Sequence, residues 1–321
     1  MMQLILIGIG AGVATALLFA SVASGALLSI FLFYLAPLPI LIAALGWSHW
    51  AALIAAFSAA AGLASVLSPF FFITFLVGIG LPAWWLGYLA LLARPAPGAT
   101  GQVEWYPVGR IVVWAAILGA AVVIAAIPNF GFDEESFRSG LRNVFERMLR
   151  AQTRGSADGP LSVPGVDAEK LVNFLVAVIP LAGAVLATIT SILNLWLAAR
   201  IVNVSGLLKR PWPSLPDMQF PPFAPALLAV AIAGTFLPGI AGTIAGILSA
   251  SLSMAYGFLG FAVLHSITRR AKARPLLLGT SYAAVVVFGW PVLLVAMLGL
   301  ADTVFNFRKS GPGHPPPLPR T

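Results

Sequence analysis

Residues 1–93 contain no Asp, Glu, Lys or Arg. A helix or strand in a water-soluble fold needs one charged or polar side, and a stretch this long without charge offers none. The pattern repeats at 111–132, 171–199, 218–268 and 275–301. Each run reaches the roughly 20 helical residues needed to cross a hydrocarbon layer of about 30 Å. Over the whole chain of 321 residues only 9% are charged and 60% are hydrophobic, against about 25% charged in an ordinary soluble domain. The mean hydropathy is +0.98. These features predict an all-α, polytopic transmembrane helix bundle whose first partner is the lipid bilayer.

Turn residues divide the runs. Ser24-Gly25, Gly46 to Trp50 and Ser68-Pro69 cut the first run into spans at 3–23, 27–46, 50–67 and 69–92. A fifth span is expected at 109–128, a sixth at 170–199, a seventh and eighth within 221–267 hinged near Leu237-Pro238-Gly239, and a ninth at 275–300. The count is about nine, within eight to ten. The expected organisation is therefore a five-span region at 1–128, an extramembrane loop at 129–169, a four-span region at 170–309 and a proline-rich, extended tail at 310–321. Met1-Met2-Gln3 lacks the positive charge of a secretory leader, so the first apolar segment is read as a retained span.

Within the loop, 133–151 places Phe137, Leu141, Val144, Phe145 and Met148 at helical spacing, with Arg138, Arg142, Arg147 and Arg150 around the other face. Acidic residues at its start and arginines at its end suit the helix dipole. This amphipathic helix either lies at the membrane surface or packs on its neighbours as a connector.

The net charge of +8 comes mainly from short segments between spans, which points to an anionic leaflet rather than to nucleic acid. With the N-terminus cytoplasmic, that side collects Arg94, Arg110, Arg200, Lys209, Arg210, Arg269, Arg270, Lys272 and Arg274. Nine unbroken spans would strand Arg308, Lys309 and Arg320 on the opposite side; a split around Trp290-Pro291 would bring them back. The expected location is a bacterial cytoplasmic (inner) membrane.

Chemistry has few footholds. The absence of cysteine removes thiolate nucleophiles and Cys-ligated metals, and the predicted span interiors hold no ionisable residue of the kind that marks proton relays or pumps. His49 and His265 are expected at the interface, and Ser281 of Gly279-Thr280-Ser281-Tyr282 as a packing residue. No enzyme activity, cofactor or metal is expected. Pro37, Pro39, Pro180 and Pro291 interrupt apolar runs; such breaks are either simple kinks or the discontinuous helices that surround transported solutes. Asn173 and Asn194 on the sixth span suit hydrogen bonding to a neutral solute or to a neighbouring helix. Small residues recur every four positions, as in Gly8/Gly12 and Ala51/Ala55/Ala59, and serve bundle packing or, on the helix Ala51 to Gly62, docking of another membrane subunit.

The closing run Gly299 to Lys309, with Asp302, Phe307 and Arg308, resembles the end signature of the YybS-like bacterial membrane proteins, a family of unknown function; the span layout with a long central loop agrees. Pro37-Leu38-Pro39-Ile40 and the alanine-rich helix after it resemble the first helices of S-components of energy-coupling-factor transporters. The resemblances imply a membrane protein of unestablished activity, read here as a solute-binding or transport-associated membrane subunit. The alternative is a non-transporting scaffold or assembly factor for a cell-envelope complex. A solute-binding protein should enclose an aromatic or polar cavity, whereas a scaffold should be tight inside and carry a small-residue groove outside.

Overall fold

The computed structural model describes residues 1–95, 103–153, 167–306 and 308; Phe307 and the 310–321 tail lie outside the described residues. Apart from a small antiparallel hairpin, β1 (Ala93–Pro95) and β2 (Val103–Trp105), the described secondary structure is helical. The first half comprises α1 (Met2–Ala20), α2 (Leu27–Tyr34), α3 (Pro37–Gly46), α4 (His49–Val66), α5 (Phe70–Phe75), α6 (Leu81–Leu91) and α7 (Val108–Ile124). The second comprises α8 (Glu134–Thr153), α9 (Ala168–Val204), α10 (Ala224–Gly234), α11 (Ile240–Ile267), α12 (Arg274–Phe288) and α13 (Pro291–Phe305).

Among the described residues, seven helical segments are long and apolar enough to cross a membrane: Met2–Ser24, Leu27–Gly46, His49–Val66, Phe70–Leu91, Val108–Asn129, Ala168–Val204 and Ile240–Arg270. The first five match the expected spans to within a few residues. The remaining apolar helices, α10, α12 and α13, are shorter. The single span expected at 275–300 is corrected: Gly289 at φ +73° ends α12, and Pro291 starts α13, where its missing N–H costs nothing. The sixth span is also longer than expected, since α9 runs for 37 residues through Pro180 without a break.

The packing is the reverse of a soluble bundle. On α1 the large residues Leu6, Val13 and Leu17 are exposed, while Gly8, Gly12 and Thr15 are buried. Without a hydrophobic drive between helices in lipid, close backbone approach over small residues supplies the association. A Cβ on Gly12 would lie 1.9 Å from Ser58 Oγ and 2.7 Å from Ala55 O. Ala51, Ala52, Ala55, Ala56, Ala59 and Ala60 are all fully buried, whereas Ala61 is exposed and a Cβ on Gly62 would meet nothing within 4 Å. Deeper in, Ser251 of α11 donates to Ala116 O of α7 at 2.7 Å and lies 2.6 Å from Thr188 Oγ1, which itself sits 2.8 Å from Ala184 O of α9. Hydroxyls thus tie three helices together at membrane depth.

The amphipathic loop helix is α8; its first turns pack on α9, while Val144 and Met148 further along stay exposed. Phe137 and Leu141 are buried in a cluster with Val172 and Val176 of α9, and Arg142 donates to Asn173. Asp133 accepts from the Ser136 N–H at 2.9 Å, which caps α8 and holds the carboxyl below its ordinary value.

One end of the bundle is basic. Gly8 faces Ala51 and Ile54 while Gly12 faces Ala55 and Ser58, so α1 and α4 run in the same direction and Met1 lies at the His49 end. There Lys209 donates to Trp47 O and Arg210 to Ala90 O. Arg308 donates to Pro216 O and Met218 O, each at 2.7 Å. The start of α1 and Arg308 therefore share an end, as they do when the run 275–300 is split at Trp290-Pro291.

Candidate functional site

The connection 205–223 folds back under this basic end and closes a cavity of about 420 Å³ between α7, α9, α11 and α12. Ile111 and Val112 come from α7, Ile192, Leu195 and Trp196 from α9, Phe258, Phe261 and Ala262 from α11, and Trp212, Leu215, Pro216 and Met218 from the connection. The helices carry these residues on their facing sides because each is charge-free over this depth. The connection is held in place by its prolines, which fix φ at Pro211, Pro213 and Pro216, and by Arg200, whose guanidinium lies 5.5 Å from the Trp212 ring centroid.

Besides its two tryptophans, the apolar lining carries the polar side chains of Arg210, His265 and Tyr282. His265 Nε2 and Tyr282 Oη are 2.9 Å apart, and the Tyr282 ring stacks on Phe261 at 4.5 Å with 6° between planes. These contacts fix α12 to α11; no residue of α12 is fully buried. Arg210 makes a long bond of 3.4 Å to Ala90 O, and burial pulls its guanidinium below the ordinary arginine value. It stays charged, since arginine does not deprotonate in proteins. Leu193, Trp196 and Tyr282 line the cavity yet remain 52%, 45% and 42% exposed. The cavity therefore opens sideways between α9 and α12, toward the surface that lipid would cover.

Below the cavity floor, Asp302 and Arg308 form a buried ion pair. Nη2 of Arg308 lies 2.7 Å and Nε 2.9 Å from Asp302 Oδ2, with the side chains 10% and 5% exposed. Together with the bonds to Pro216 and Met218, this latch pins the connection against the end of α13.

The sequence-marked positions do not converge. Asn194 donates to Tyr34 O at 2.8 Å, a carbonyl set free where α2 stops before Pro37, and to Thr190 O at 2.8 Å. Pro37, Pro39 and Asn194 thus belong to one helix break, outside the cavity lining. Asn173 is at the far end of α9 against α8, Pro180 is buried inside α9, and Pro291 opens α13. Asp302 and Arg308 meet, while Phe307 lies outside the described residues. His265, near the end of α11, also lines the cavity. Ser281 donates to Leu277 O within its own helix at 2.8 Å. The sequence reading takes Arg210 only as loop charge and Trp212 not at all; the signal available is a cation set among aromatic and proline residues in Lys209-Arg210-Pro211-Trp212-Pro213.

No curated protein and no solved structure matches the chain, so the likeness to S-components rests on the Pro37 to Ile40 segment alone. The family model described as predicted membrane protein, domain of unknown function 2232, matches residues 13–303, and the many-helix membrane architecture agrees with it. The chain belongs to that family.

Proposed function

We propose that this membrane protein binds an amphipathic small molecule in the cavity between α7, α9, α11 and α12, as a solute-binding or transport-associated membrane subunit. The observation that carries the reading is a cavity of about 420 Å³ with aromatic walls and a few polar groups in its lining. That is the form expected of a small-molecule site and not of a protein packed solid for scaffolding. The burial of Ala51, Ala52, Ala55, Ala56, Ala59 and Ala60 inside the chain supports the same choice, because those small residues serve internal packing. The basic end is assigned to the cytoplasm of a bacterial inner membrane, in keeping with the preference of Lys and Arg for that side.

Native mass spectrometry of the protein purified in mild detergent tests the reading. A bound small molecule should survive in the wild type and be lost in Ala262→Trp, which fills the cavity from α11. A wild type that carries no ligand and gains no thermal stability from any amphiphile would defeat it.

A further inference from the structure

Charge at the basic end is unevenly satisfied. Each carboxylate described there already has an arginine: Glu104 faces Arg94 at 2.8 Å, Asp217 faces Arg269 at 3.9 Å and also accepts from Ser214, and Asp302 faces Arg308. Arg210 lines the cavity with no carboxylate within ion-pair distance among the described residues, and its hydrogen bond is a long one to a carbonyl. A guanidinium has five N–H donors. Most of those of Arg210 are therefore left for an occupant, at the one place where the apolar compartment meets a cation. Arg200 and Lys209 stand just outside, the first over Trp212 and the second on Trp47 O, so the surrounding potential is positive as well. The other two polar groups of the lining, His265 and Tyr282, are engaged with each other.

Resting on the reading above, we infer that the ligand is an anionic single-chain amphiphile whose phosphate or carboxylate head is held by Arg210. Its chain lies against Trp196, Phe258 and Phe261 and reaches the cavity sideways from the bilayer between α9 and α12. The planar fork of arginine matches both oxyanion heads with paired hydrogen bonds. The apolar walls supply the chain's site, which a free inorganic anion would leave empty.

The test uses the full chain in dodecyl maltoside, with binding followed by thermal shift and native mass spectrometry. The probes are oleoyl lysophosphatidic acid, oleate, neutral monooleoylglycerol and inorganic phosphate. Both anionic amphiphiles should bind at least about tenfold more tightly than monooleoylglycerol, as expected for a charge-assisted pair in a site shielded from water. Arg210→Gln should erase that preference while keeping the neutral probe bound, and Lys209→Gln should preserve it. Equal binding of neutral and anionic probes by the wild type, or a preference that survives Arg210→Gln, overturns the anionic head and leaves the cavity reading standing. Binding of inorganic phosphate as tightly as the lipids overturns the amphiphile. Should Arg210→Gln fail to fold, the wild-type comparison of oleate with monooleoylglycerol decides alone, and failure of every amphiphile to bind removes the parent reading too.

Discussion

Breaking the latch between Asp302 and Arg308 should be costly in a defined order. Removing one partner of a buried ion pair leaves an uncompensated charge, at about 3–5 kcal/mol. In Asp302→Leu the guanidinium keeps its bonds to Pro216 O and Met218 O, both 2.7 Å long, so the loss should sit near the lower end. In Arg308→Met the carboxylate is stranded and both carbonyls lose their donor, each adding about 1–3 kcal/mol; this variant should be the worse by about 2 kcal/mol or more. Replacing the pair together, Asp302→Leu with Arg308→Met, removes the stranded charge and should recover much of the loss, because a buried ion pair is often no more stabilising than well-packed apolar groups. The nine tryptophans give an unfolding signal in a titration of dodecyl maltoside micelles with SDS. Each single variant should fall well below the wild type, and the double should lie above the sum of the singles by more than about 1 kcal/mol, outside the range of independent sites. Additive losses, or singles within about 0.5 kcal/mol of the wild type, would refute a buried, mutually compensating pair. Because Leu215, Pro216 and Met218 are both the latch's neighbours and cavity wall, ligand binding should weaken in parallel.

Three further outcomes follow from the packing and from the charge distribution. Gly260→Ala would put a Cβ 1.8 Å from Val295 O, forcing α11 and α13 apart, so it should lose more than the roughly 1–3 kcal/mol of ordinary overpacking; Gly279→Ala on α12, with nothing within 4 Å, should be neutral or slightly stabilising by the same unfolding titration. The Asp133 carboxyl is held below its ordinary value of 3.8 by the Ser136 N–H, so its contribution to capping α8 is present at neutral pH and lost as the pH falls below 3.8 through the depressed value. Amide-exchange protection of Ser136 should drop over that window in the wild type and stay flat in Asp133→Asn. Since the chain has no cysteine, single substitutions map its sides directly: in spheroplasts an impermeant maleimide should label Ser139→Cys on α8 and spare Ser205→Cys at the basic end, and the opposite pattern would reverse the proposed orientation.

What the sequence made legible follows from the solvent. Lipid demands uninterrupted apolar helix, so the charge-free run 1–93 located four spans and their turns without any tertiary information, and the amphipathic period of 133–151 located α8. Asp302 and Arg308 were legible as charges six residues apart at the end of the last apolar run, though not as the ion pair they form. Partners far apart in the chain were not. Whether an intramembrane proline ends a helix depends on what receives the freed carbonyl, and Tyr34 O finds Asn194 from 160 residues away, while α9 simply continues through Pro180.

The cavity was the least legible feature, and its physical construction explains why. A site between helices in lipid is lined by the same Leu, Ile, Phe and Trp that face the bilayer elsewhere, so composition cannot separate a lining residue from a lipid-facing one. Only the exceptions carry information: a cation with no carboxylate beside it, and polar side chains on an otherwise apolar face. Arg210, His265 and Tyr282 are such exceptions, drawn from an interhelical connection and two different helices. Each looks ordinary at its own place in the chain, and their meaning arises only where the connection 205–223 folds under the bundle. The Asp302–Arg308 latch holds that connection to the end of α13, so these two residues at the C-terminal end contribute to the cavity through the floor they secure. That coupling gives the latch a consequence beyond stability: a variant that keeps the bundle folded but frees Pro216 and Met218 should retain helicity and lose the ligand.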